Sequence, residues 1–266
     1  MKYVIDNDLH IHSYLSSCSS DPEQSTEAIL RYAEDAGLKK ICLTDHYWDE
    51  TVDGASNWYN PQNTSHIKMA LPLPKSDKVE FLFGCETEFN RHLTLGISRE
   101  RFDELDFVII PTTHMHMNEF VIPEDFIDTC ENRAALWVKR LDVLLSMDLP
   151  FKKIGIAHLA CRLINKKSPE DYLKTLSLIP EDEMTRLFTK AASLGCGIEL
   201  NRDDMSFRWG GIDTVLRPFK IAKSCGCKFY LGTDAHHPNE FDGMRETYES
   251  VIDSLGLTED DKFLLP

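Results

Sequence analysis

A chain of 266 residues with 42% hydrophobic content is long enough to bury a substantial core, and a barrel of this length is commonly a single domain. Its formal net charge of -15 argues against tight non-specific binding to nucleic-acid phosphates. No secretory signal core is visible at the start and no apolar run approaches a membrane span, so we predict a cytoplasmic protein without a membrane partner.

The predicted elements are short β-rich runs that alternate with amphipathic helical segments, which favours a parallel sheet covered by helices. Seven strands are predicted, at 3–5, 41–46, 79–84, 107–113, 153–157, 197–200 and 228–233. Helices are predicted within 21–40, 98–105, 124–148, 170–179, 181–195, 211–226 and 243–256, of which 98–105 is the weakest pattern. The segment 47–78 reads as a long irregular loop, and loops of that length in compact domains are usually functional or mobile.

Potential metal ligands follow nearly every predicted strand. In an extended chain His10 and His12 share a face, with Leu9 and Ile11 on the other. The strand-end set comprises His10, His12, His46, Glu86, His114, His158, Asp234 and His236. Because the carboxyl ends of barrel strands meet on one face, we expect these side chains to form one site.

The donor set predicts the kind of metal centre. Eight nitrogen and oxygen donors exceed what one tetrahedral zinc accepts, so two or three divalent ions are expected. Imidazole mixed with carboxylate favours Zn, Mn or Fe over Mg or Ca. Glu88 is the main rival of Glu86, while His116 and His237 are read as neighbours rather than ligands.

These motifs, "DLHIHS", "LTDH", "GCE", "TTH", "IAH" and "LGTDAHHP", resemble in this order those of the polymerase and histidinol phosphatase (PHP) superfamily, closest to its stand-alone histidinol-phosphatase-like members. The resemblance spans nearly the whole chain and implies a distorted (β/α)7 TIM-like barrel with a trinuclear site. It assigns metal ligation to the eight residues above.

One position departs from the family pattern. A further ligand, usually His or Asp, follows the first motif in the family, whereas this chain has "SYLSSCSSD" there. Cys18 lies near the expected distance and could bind zinc as a thiolate, and Asp21 lies farther along. A third alternative is that Cys18 packs in the turn and the third metal is weakly held.

The resemblance implies hydrolysis of a small phosphomonoester, with histidinol phosphate and a place in histidine biosynthesis as the leading expectation. A metal-activated hydroxide would attack phosphorus, so we expect no catalytic side-chain nucleophile. Arg162 and Arg202 are the candidates for phosphate binding. The alternatives are a phosphoesterase acting on nucleotides or nucleic-acid ends, an amidohydrolase, and a barrel that keeps the fold without the chemistry.

Overall fold

The computed structural model describes residues 1–19 and 21–266, in which seven parallel strands form a nearly closed barrel. The strands follow chain order around the ring: β1 Asn7–Ile11, β2 Lys40–Leu43, β3 Glu80–Glu86, β4 Phe107–Pro111, β5 Ile154–Ala157, β6 Gly197–Asn201 and β7 Lys228–Gly232. The predicted distorted (β/α)7 barrel in a single domain is therefore confirmed.

The longer helices cover the outside of the ring. They are α1 Thr26–Asp35, α4 Cys130–Leu144, α5 Pro169–Ser177, α6 Glu181–Leu194, α7 Ile212–Ser224 and α8 Met244–Leu255. The four-residue helices α2 Thr64–Ile67 and α3 Asn118–Val121 lie in the segments that follow β2 and β4. Within the described residues, no helix combines the length and apolar character needed to cross a bilayer.

Several predicted boundaries differ from the structure; the strand predicted at 41–46, for example, ends at Leu43. The first strand begins at Asn7. Tyr3 and Ile5 are buried and Val4 is exposed, but they do not join the ladder, because the Tyr3 N–H donates to the Leu257 carbonyl and its hydroxyl donates to the Phe229 carbonyl. The segment 98–105 forms only a 3₁₀ helix, Arg99–Glu104. The helix predicted within 124–148 begins at Cys130, where the Thr129 side chain accepts from the Asn132 N–H and caps it.

A bulge in β1 aims the first histidine into the barrel. Asp8 pairs with Ile41 and Ile11 with Leu43, so two residues of β1, Leu9 and His10, lie opposite one residue of β2. An extra residue of this kind re-aims side chains. Leu9 packs in the interior cluster, contrary to the expectation that it faces away from His10.

The seam between β7 and β1 brings two motifs together. The Asp234 N–H donates to the His10 carbonyl at 2.7 Å, and the His12 N–H donates to the Ala235 carbonyl at 3.0 Å. The buried carboxylate of Asp8 accepts from both the N–H and the hydroxyl of Thr233. These bonds hold the His10–His12 pair beside Asp234.

The core has two layers. The larger layer lies between the strands and the helices. The smaller one fills the barrel interior and consists of Leu9, Cys42, Phe107, Ile109, Ala157, Tyr230 and Phe263. Phe263 comes from the C-terminal segment, whose backbone N–H bonds to the Phe229 carbonyl. Below the strand ends the barrel is thus a packed apolar core.

Candidate metal centre

All eight side chains of the predicted ligand set lie at the C-terminal end of the barrel. His10 is within β1 and Glu86 ends β3, while the other six follow their strands in short loops. Six of the eight are buried, and Asp234 and His236 are half-buried, which is unusual for ionisable groups without partners.

Glu86 lies at the centre of this group. Its Oε2 is 3.1 Å from His46 Nδ1, 3.3 Å from His12 Nε2 and 3.5 Å from His10 Nε2. Its Oε1 is 3.6 Å from His158 Nε2 and 3.9 Å from His114 Nε2. One carboxylate therefore faces five imidazoles.

Asp234 is a second carboxylate that faces several imidazoles. Its Oδ1 lies 3.2 Å from His12 Nε2, 3.3 Å from His10 Nε2 and 3.7 Å from His236 Nδ1. Its Oδ2 lies 3.5 Å from His158 Nε2. Glu86 and Asp234 thus share His10, His12 and His158.

Two of these residues adopt a backbone conformation that is rare for residues other than glycine. His158 has φ 55° and Asp234 has φ 56°, both in the left-handed region. Such a conformation costs roughly 1–2 kcal/mol per residue. Strain of this kind is commonly found at functional sites, where it directs side chains that a regular strand would not.

Neighbouring carboxylates and hydroxyls orient the rings of the β1 pair. Glu199 Oε1 lies 2.5 Å from His10 Nδ1, so we assign the Nδ1 proton to this bond and leave Nε2 facing the site. Ser16 Oγ lies 2.8 Å from His12 Nδ1 and donates to Asp45. Glu199 lies in β6, whereas Ser16 lies in the turn after β1, where no motif marks it.

Glu88 orients His114 instead of replacing Glu86. Its Oε2 lies 3.1 Å from His114 Nδ1, and its Oε1 accepts from the guanidinium of Arg140 in α4. Both Glu88 and Arg140 are buried. Sequence reasoning missed Arg140, which lies on a helix far along the chain and has no motif around it.

Other polar residues near the site lie outside the cluster. His116 lines the adjacent cavity, and burial together with His114 lowers its pKa to about 4. Asp21 lies 3.4 Å from His237 and lines a separate cavity with it.

The charges of the cluster are strongly coupled. Burial alone would raise the pKa of Glu86, but His46 and His10 hold it well below its usual range. Burial works against the charge of His12, yet Asp234 and Glu86 raise its pKa to about 9. Burial lowers the pKa of His46 well below its usual range, and the Glu86 carboxylate opposes this shift.

The arrangement fits bound cations. Two donors on one tetrahedral zinc lie roughly 3.3–3.6 Å apart, which is the range of many separations around Glu86 and Asp234. Glu86 Oε1 and His46 Nδ1 are buried without a hydrogen-bond partner among the described residues. Donor atoms lie within 4.8 Å of one another in three overlapping sets, His12–His46–His236, His10–His12–Asp234 and His10–Glu86–His158.

Two cavities meet at this cluster. The larger, of about 750 Å³, is lined by Trp58, Tyr59, Met117 and Phe120 beside the cluster. The smaller, of about 370 Å³, contains the predicted Arg162 and Arg202 together with Arg208. His158, Leu163, Asp234 and His236 line both. A bound molecule can therefore reach the cluster from an aromatic side and from a basic side.

The long segment 47–78 contributes the aromatic wall. Trp48 and Tyr59 are buried and anchor the segment, with Trp48 packed edge-on against Phe120. Trp58 is 37% exposed and lies edge-on to the His46 ring. Trp209 lies at the smaller cavity, over the Arg162 guanidinium.

No protein-family model matches the chain, and no curated protein matches its sequence. Two solved structures share its fold at low identity. The histidinol phosphate phosphatase of Lactococcus lactis, solved with zinc, L-histidinol and phosphate, has a TM-score of 0.60 at 16% identity and covers 95% of this chain and 94% of its own. A proposed histidinol phosphatase of Listeria monocytogenes has a TM-score of 0.65 at 11% identity, covering 91% of this chain and 100% of its own. The chain therefore has a histidinol-phosphatase-like barrel fold.

Proposed function

We propose that this protein is a metal-dependent phosphomonoesterase of the PHP superfamily, with histidinol phosphate as the leading substrate. The observation that carries the proposal is the convergence of six imidazoles on two carboxylates, the buried Glu86 and the half-buried Asp234, where two cavities meet. The barrel likeness to a phosphatase that was solved with zinc, histidinol and phosphate supports it.

The proposed ligands are the eight residues of the predicted set, holding two or three divalent ions, with zinc favoured by the imidazole content. Bound there, such ions supply charge neutralisation for a phosphate ester and a water of lowered pKa. Glu86 and Asp234 are the proposed shared carboxylates, because each faces at least three imidazoles.

The smaller cavity is the proposed place for phosphate recognition. Arg162 packs against Tyr172 and Trp209, and its Nε is buried without a hydrogen-bond partner among the described residues. Arg202 lines the same cavity. A planar guanidinium binds phosphate oxygens in a fixed geometry, so these two residues are the proposed phosphate ligands. Arg162 donates to the carbonyls of Asn165 and Lys166, and phosphate binding would exchange these bonds.

The larger cavity suits the leaving alcohol. Trp58, Tyr59 and Phe120 offer flat apolar surfaces for a planar ring and exclude water from the reacting phosphate. The carboxylate-bearing Glu119 lines the same cavity and favours a cationic amine. Histidinol carries both a planar ring and an amine.

A substrate panel tests this proposal. Protein loaded with zinc or manganese is mixed with histidinol phosphate, other small phosphomonoesters, nucleoside monophosphates and a 5′-phosphorylated oligonucleotide, and released phosphate is measured. We expect kcat/KM for histidinol phosphate to exceed that for each nucleotide by at least about tenfold, a difference of about 1.4 kcal/mol. The His10→Asn/His12→Asn variant is the inactive control.

Two results overturn parts of the proposal. Preference for nucleotides or the oligonucleotide replaces histidinol phosphate by the alternative substrate class. Absence of phosphate release from every ester, with metal present and the fold intact, removes the phosphoesterase activity itself.

A further inference from the structure

The turn after β1 presents a thiol to the metal centre. Cys18 Sγ lies 2.9 Å from His236 Nε2 and lines the larger cavity with His46 and Glu86. The turn is fixed on this side, because the Ser19 hydroxyl donates to the His236 carbonyl at 2.7 Å. The 2.9 Å distance between Cys18 Sγ and His236 Nε2 therefore occurs in a turn that this hydrogen bond holds in place.

Three imidazoles beside this thiol form the outermost donor set. Ligand atoms of His12, His46 and His236 lie within 4.8 Å of one another. The His12 and His236 rings are stacked, with centroids 4.2 Å apart. His46 is only 7% exposed, and its Nδ1 faces Glu86 Oε2 at 3.1 Å but makes no hydrogen bond to it or to another described residue. A buried nitrogen that faces a carboxylate without a hydrogen bond points to a bound cation independently of the thiol.

Asp21 is the competing donor in this turn, and its position argues against it. Its carboxylate accepts from the Glu23 N–H at 2.9 Å and lies near His237, in a different cavity. Cys18 lines the cavity that contains His46 and His236.

We propose that the Cys18 thiolate is a ligand of the outermost metal ion, together with His46 and His236, the two members of the outermost set that belong to neither inner set. The inference rests on the proposed metal centre but not on the proposed activity. On binding, the S–H proton is released and a sulfur–metal bond forms, with no change of oxidation state. A sulfur and a nitrogen on one zinc lie about 3.5 Å apart, so the thiol and the His236 ring separate by roughly half an ångström.

A thiolate gives this position a metal preference different from that of the inner donors. Sulfur favours zinc over manganese, whereas the inner imidazole–carboxylate sets accept either. We expect manganese to fill the inner positions and to leave the outermost position to zinc or cobalt.

Cobalt spectroscopy tests the proposal without an activity assay. Metal-free full-length protein is titrated with Co²⁺, and thiolate ligation is read from a near-ultraviolet thiolate-to-cobalt charge-transfer band. We expect the band in the wild type and its loss in Cys18→Ser, with one fewer zinc ion bound per chain. Cys18→Asp should restore that zinc ion without the band.

The control variants separate this thiol from the others. Cys225→Ser changes a partly exposed cysteine in the turn before β7 and should keep the band. Cys161 lies in a second donor set with His158 and Asp204, so loss of the band in Cys161→Ser and not in Cys18→Ser overturns the proposal. A wild type that binds cobalt without the band also overturns it.

The two proposals fail separately. A band that depends on Cys18, in a protein that hydrolyses no ester, leaves this inference standing and removes the phosphatase. An active enzyme in which Cys18→Ser leaves the charge-transfer band and the zinc content unchanged removes this inference and leaves the phosphatase proposal standing.

Discussion

The barrel interior contains two regions of opposite chemistry. Below the strand ends, Phe107, Tyr230 and Phe263 pack against one another in an apolar core. At the strand ends, the buried Glu86 and the half-buried Asp234 lie among imidazoles. The first region gains stability from burial, whereas the second buries charges that need partners. We therefore expect substitutions in the lower region to change stability and those in the upper region to change metal binding and turnover.

The largest expected effect is at Glu86, which faces five imidazoles. Glu86→Gln should lower kcat/KM on the order of ten-thousandfold and reduce bound metal, because a neutral amide is a poor shared ligand. Glu80→Gln, at the exposed start of the same strand, is the matched control. A kcat/KM of Glu86→Gln within tenfold of the wild-type value would contradict the central role of Glu86 in the metal centre.

Phe107 tests the lower region. Phe107→Ala removes a fully buried ring and should lower the free energy of unfolding by about 3–5 kcal/mol, measured by urea denaturation. The metal content of the folded fraction should stay the same. Loss of metal without loss of stability would contradict the expectation that the lower region determines stability and the upper region determines metal binding.

Substitutions at Glu88 and Arg140 test whether the orientation of the His114 ring affects metal binding. Glu88→Gln should weaken metal binding by roughly 10- to 100-fold, measured by competition with a chromophoric chelator. It also leaves the Arg140 charge buried and unpaired, which lowers stability.

The double variant Glu88→Gln/Arg140→Gln separates these effects. It removes the unpaired charge, so stability should recover while metal affinity stays low. Recovery of both would show that the pair has only a structural role.

Arg162 should show a smaller effect, confined to substrate binding. Arg162→Lys keeps the charge but loses the planar fork, so KM should rise about tenfold with kcat changed less. Arg186→Lys on the exposed face of α6 is the control. An unchanged KM would remove Arg162 from the proposed phosphate site.

The sequence predicted the ring of strands and the grouping of the strand-end donors for one physical reason. Parallel strands with donors at their carboxyl ends bring those donors to one face whatever the details of the helices. Which side chains of the first strand face the barrel interior was not predictable, since the bulge at Leu9 and His10 depends on pairing with β2. Alternation alone placed Leu9 on the wrong side.

The residues that orient the rings were harder to predict. Arg140 reaches Glu88 from a helix 52 positions away, and Ser16 reaches Asp45 across 29 positions. Such contacts form only once the barrel closes and leave no local spacing pattern. The segment 47–78 was expected to be functional or mobile, but which of its rings faces the cavity depends on packing against Phe120.

Metal content tests the central claim most directly. Protein purified without chelators and equilibrated with zinc is analysed by mass spectrometry of its metals, in the wild type and in His10→Asn/His12→Asn, with circular dichroism to verify the fold. The proposed centre predicts two or three ions per chain in the wild type and a loss of at least one ion in the variant. Less than one ion per chain in folded wild-type protein would contradict the assignment of this cluster as a metal centre.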